Sequence, residues 1–116
     1  MSLVKALVLT PYDQQLPNLP IVTIDTDNGG LRAIVGGWLE HIYGELGGDE
    51  VTVIVNEEGL KWGLPPNRLA SSLIRELAPP EQSNLIGTAV VVGLKDDEYI
   101  DVTDQVIEWY RSVSQQ

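Results

Sequence analysis

Hydrophobic positions along this 116-residue chain fall into short blocks separated by turn-forming residues, and most blocks repeat with a period near two. Leu3 to Thr10 reads Leu-Val-Lys-Ala-Leu-Val-Leu-Thr, which predicts a largely buried first strand. Pro11, Pro17 and Pro20 make the next segment a loop, because proline fixes φ and has no N–H to donate. Ile21-Val22-Thr23-Ile24, β-branched and bounded by Asp25, predicts a second strand in a hairpin with the first. Trp38 to Tyr43 alternates as a strand, with Trp38, Glu40 and Ile42 on one face and Leu39, His41 and Tyr43 on the other. Gly47-Gly48-Asp49-Glu50 turns into Val51-Thr52-Val53-Ile54-Val55, the strongest strand signal in the chain. The turn Asn56 to Gly59 is expected to return through Leu60 to Trp62 as a brief partner strand. Leu85 to Gly93 is continuously apolar, which places it mid-sheet, buried on both faces.

Three segments change to helical spacing. Leu31, Ile34 and Val35 predict a two-turn helix capped by Asp27 or Asn28 and stopped by Gly36-Gly37. Leu69, Leu73, Ile74 and Leu77 form an apolar stripe on a helix from Arg68 to Leu77, with Asn67 as its cap and Pro79-Pro80 beyond its end. After a charged turn from Lys95 to Glu98 and an extended piece from Tyr99 to Val102, Thr103 caps a last helix. Its inner face is Val106, Ile107, Tyr110 and Val113. The expected architecture is α+β: residues 1–116 as a single domain with one mainly antiparallel sheet of about five to six strands and about three helices.

Composition narrows the chemistry. The chain is 43% apolar with no Phe and no Cys, which predicts a core of Val, Ile and Leu with Trp38, Trp62 and Trp109 available as larger fillers. Disulfides and thiolate metal sites are excluded. Met1 to Thr10 carries one Lys and an apolar run too short for a signal peptide or a membrane span, so a cytoplasmic location is expected. Seventeen acidic residues against seven basic ones give a formal charge of −10. That balance opposes direct binding to nucleic acid or to an anionic membrane. It keeps a small protein soluble, and a patterned acidic surface could also occupy the basic cleft of a host protein.

Two clusters stand out as candidate sites. The first is the segment Asn56 to Arg68, in which Asn56, Glu57, Glu58, Trp62, Asn67 and Arg68 could together bind a ligand or partner, Trp62 by stacking and Arg68 by holding an anion. Its Gly and Pro residues also serve turn formation, and adjacent Glu57 and Glu58 diverge too much to be a facing acid/base pair. The second is the acidic cluster Asp96, Asp97, Glu98, Asp101 and Asp104, which lacks calcium-loop spacing and reads as a solvated turn or as an electronegative contact surface. His41 is the only histidine, so no metal and no cofactor are expected. No serine lies in a Gly-x-Ser-x-Gly elbow and no Gly-rich run ends in Gly-Lys-Ser/Thr, which leaves an enzyme as the least favoured class.

Asn56-Glu57-Glu58-Gly59, then Gly63-Leu64-Pro65-Pro66-Asn67, preceded by Leu31 to Gly37, resembles an uncharacterised family of small domains of unknown function from bacteriophages, plasmids and bacteria. The resemblance covers roughly Val4 to Val92, and it implies no catalytic or ligand residues. It points to a non-enzymatic phage or mobile-element accessory protein that binds a host protein through an acidic surface. The alternative is a protein that binds or sequesters a nucleotide-like small molecule with the 56–68 loop. Either reading is compatible with a monomer or a homodimer.

Overall fold

The structure is a computed structural model that describes residues 2–11, 19–27, 29–80 and 83–114. In chain order the elements are β1 (Leu3–Leu9), β2 (Ile21–Asp25), α1 (Gly30–Val35), β3 (Leu39–Leu46), β4 (Asp49–Asn56), α2 (Arg68–Glu76), β5 (Ala89–Lys95), β6 (Glu98–Ile100) and α3 (Asp104–Ser114). They build an α+β fold around one antiparallel sheet of order β2-β1-β5-β4-β3. β6 extends the sheet by pairing with the end of β5. There the backbone N–H groups of Lys5 and Val102 hydrogen-bond to Asp101 Oδ1 and to Lys5 O respectively, both at 2.8 Å.

β5 is central because both of its faces are covered. Ala89 and Val91 join Leu7, Val51, Val53, Val55, Leu73, Ile74, Val106 and Tyr110 in a core against α2 and α3. Val90 and Val92 join Val4, Ala6, Ile24, Ile54, Leu31 and Val35 in a second core against α1. The period of two sends successive valines into different cores, which is why no polar residue interrupts the run. α1 is only about 9 Å long and covers part of its face. Gly36, at φ 87°, ends it in the left-handed conformation and donates its N–H to Arg32 O.

Several expectations change. Leu60 to Trp62 is a coil of turns, with Trp62 N–H donating to Glu58 O at 3.0 Å and Leu64 N–H to Gly59 O at 2.9 Å. A strand could not form there beside β4, since β3 and β5 already occupy both of its edges. The strand expected from Leu85 starts at Ala89 instead. Leu85 bonds to the start of α2, accepting from Asn67 N–H and donating to Ser71 Oγ. Ile86 bridges Pro66. Gly29 takes the N-cap position of α1 with no side-chain cap, in place of Asp27. Asn28 and Pro17 lie outside the described residues.

Candidate functional site

β3 is an edge strand, and its register determines which backbone groups face outward. Glu57 N–H donates to Trp38 O at 2.8 Å, so the even-numbered residues of β3 bond inward to β4. The odd-numbered residues must point their N–H and C=O away from the sheet. Glu45 fits this rule, exchanging two hydrogen bonds with Ala78 at 3.0 and 2.8 Å on the outer side. Among the described residues, the outward N–H and C=O of His41 and Tyr43 have no partner.

The side chains of those same residues lie on the α1 face, beyond the reach of the short helix. His41 Nε2 and Tyr99 Oη are 2.6 Å apart. The imidazole plane is nearly parallel to two phenol rings, Tyr43 at 5.8 Å and Tyr99 at 6.1 Å between centroids. Burial holds the His41 pKa below its ordinary value, which favours the neutral imidazole beside the Tyr99 hydroxyl. Burial, and then the neighbouring Tyr43, push the Tyr99 phenol up. Tyr43 remains 58% exposed.

Two clefts meet at Tyr43. One, of about 500 Å³, runs along Glu40 to Tyr43 and is closed by Asn56, Glu57, Leu60 and the 83–86 segment. The other, of about 580 Å³, is lined by Tyr43, Glu45, Glu50, Leu94, Asp97 and Tyr99 and ends at Ala78 and Pro79. Carboxylates line both, with Glu40 and Glu57 in the first and Glu45, Glu50 and Asp97 in the second.

The residues expected in the 56–68 loop separate into two groups. Asn56 is buried and structural, donating to Val35 O and accepting from Glu58 N–H, which ties α1 to the turn. Asn67 is also buried, with Nδ2 donating to Leu9 O and Gly87 O and Oδ1 accepting from Ala70 N–H as the α2 cap. Every donor of its amide is engaged inside the fold, so it offers nothing to a ligand. Glu57, Trp62 and Arg68 are exposed. Glu58 pairs with Lys61 at 3.2 Å, and the Lys61 ammonium stands 5.9 Å from the Trp62 ring.

The acidic cluster separates in the same way. Asp96 and Asp97, at φ 52° and 63°, form the two-residue turn between β5 and β6. Asp101 is occupied by Lys5 N–H, and Asp104 lies in the first turn of α3. Of the five, Asp97 alone lines either of these two clefts. Glu40, Tyr43, Glu45, Glu50 and Tyr99 belong to neither sequence cluster. The alternation of Trp38 to Tyr43 already separates the faces of β3, but nothing in it marks β3 as an edge. Among the described residues no group of three or more His, Asp or Glu could hold a metal ion, and no helix is long and apolar enough to cross a membrane.

The model of one protein family, described as a domain of unknown function, matches residues 4–114. The chain belongs to the DUF3846 family. No curated protein and no solved structure matches it. The DUF3846 match runs from β1 to the end of α3, so the edge of β3, both clefts and the 56–68 loop all lie within the family domain.

Proposed function

We propose that this DUF3846 domain is a non-enzymatic accessory protein of a bacteriophage or mobile element, acting in the host cytoplasm by binding a host protein with a basic surface. The observation that carries the reading is the pair Leu60 and Trp62. They are 81% and 67% exposed on the hydrogen-bonded 57–63 turn, beside a cleft lined by Glu40 and Glu57. Large apolar side chains held in water by an ordered backbone mark contact surfaces, and tryptophan is prominent among residues that dominate them. The formal charge of −10 makes a basic partner the electrostatic complement and speeds encounter with it. The phage or mobile-element setting rests on the motif resemblance.

The test is native mass spectrometry of the tagged protein recovered gently from lysate of its bacterial host, beside a Leu60→Ser/Trp62→Ala double variant. The expected result is a specific added protein mass that the double variant loses and that raised salt weakens. A small added mass alone would overturn this reading in favour of a nucleotide-like ligand at the 56–68 loop, which an Arg68→Ala variant would then lose.

A further inference from the structure

The edge of β3 carries a more specific assignment, which rests on the protein-binding reading above. We infer that β3 accepts an extended segment of the partner protein as an added strand, and that this segment presents basic side chains to the α1 face. The backbone supplies the first part of the argument. His41 and Tyr43 present two N–H and two C=O groups outward without partners among the described residues, on a strand whose next outward residue, Glu45, is already paired with Ala78 in this way. An added strand would continue the ladder that the Glu45 to Ala78 bridge begins.

Charge and shape supply the rest. An added strand points alternate side chains to the two faces of the sheet. On the α1 face they enter the cleft of Tyr43 and Tyr99 with Glu45, Glu50 and Asp97, where two aromatic rings and three carboxylates favour Lys or Arg. On the other face they meet Ile42, Leu85 and Ile86, an apolar floor with Glu40 and Glu57 beside it. A second copy of this chain fits poorly. Its β3 edge, Leu39–Leu46, carries two glutamates and no lysine or arginine, and its other edge strand, Ile21-Val22-Thr23-Ile24-Asp25, contains no cation.

The experiment is a nuclear magnetic resonance titration of the full chain with a synthetic eight-residue peptide alternating Val and Lys, against a control peptide alternating Val and Glu. The Val-Lys peptide should slow hydrogen exchange at the His41 and Tyr43 amides at least tenfold, and the Val-Glu peptide should leave them unchanged. His41→Pro, which removes an outward N–H, should bind at least tenfold more weakly than His41→Val, which loses the same imidazole and keeps the N–H. If His41→Pro does not fold, the exchange measurement in the unaltered chain decides alone. Protection confined to other residues, or equal binding by the Pro and Val variants, would overturn the assignment. A host protein retained equally by both variants would sink strand addition and leave the protein-binding reading standing. Retention of no host protein, with the two amides protected by the Val-Lys peptide, would do the reverse.

Discussion

Asn67 links three parts of the chain that are distant in sequence. Its side-chain amide joins the end of β1 at Leu9 O, the approach to β5 at Gly87 O and the first turn of α2 at Ala70 N–H. Asn67→Ala would leave Gly87 O and one helix N-terminal N–H without these partners, and would remove the second donor from Leu9 O, which keeps its ladder pairing with Ala89. The expected loss is about 2–4 kcal/mol, since each orphaned buried group costs about 1–3 kcal/mol and partial water access recovers some of it. Urea unfolding of the variant against the unaltered chain measures it, and a loss below about 0.5 kcal/mol would contradict this account. His41 makes a prediction of opposite character. Burial lowers its pKa in the folded state, so the unfolded chain takes up the proton first as pH falls. Stability from this group is therefore complete above the ordinary imidazole range and declines as pH drops through that range towards the folded pKa. His41→Gln should flatten that part of a melting-temperature profile measured between neutral and mildly acidic pH. An unchanged slope would show that another group titrates there.

Among the elements, β3 depends on Gly44. A Cβ at this position would stand 2.8 Å from Leu77 Cβ, and Leu77 is a fully buried residue of the core between the sheet and α2. Gly44→Ala should destabilise by about 1–3 kcal/mol through overpacking, read as a lowered thermal midpoint by circular dichroism. Adding Leu77→Ala should lower the midpoint further rather than restore it, because alanine keeps the Cβ that is closest to the new methyl and opens the core around it. Periodicity made most elements legible: Val51 to Val55 and Val90 to Val92 could hardly be anything but buried strands, and the Leu69, Leu73, Ile74 stripe marked α2. What it could not reveal was neighbourhood. Leu60 and Trp62 resemble strand residues in isolation, and only the occupation of both β4 edges turns them outward into a coil.

For the whole molecule, the candidate site was the least legible part. The suspected loop contained both structural amides, Asn56 and Asn67, and exposed groups such as Glu57 and Trp62. Side-chain type alone does not distinguish an asparagine that caps a helix from one that meets a ligand. The outward backbone groups of His41 and Tyr43, without partners among the described residues, and the Tyr43 to Tyr99 cleft depend on strand order, which places residues 43 and 99 on one face although they are far apart in sequence.

Strand order also sets when this sheet can close. β1 pairs with β2 and β3 with β4, so the first half of the chain can form two hairpins, and among the described residues it is β5 that joins one hairpin to the other. A ribosome must therefore deliver Ala89 to Lys95 before the halves can be stitched together. Until then the nascent chain holds two half-sheets with open edges at β1 and β4, the edges that β5 later fills, and contacts this distant in sequence are slow to form.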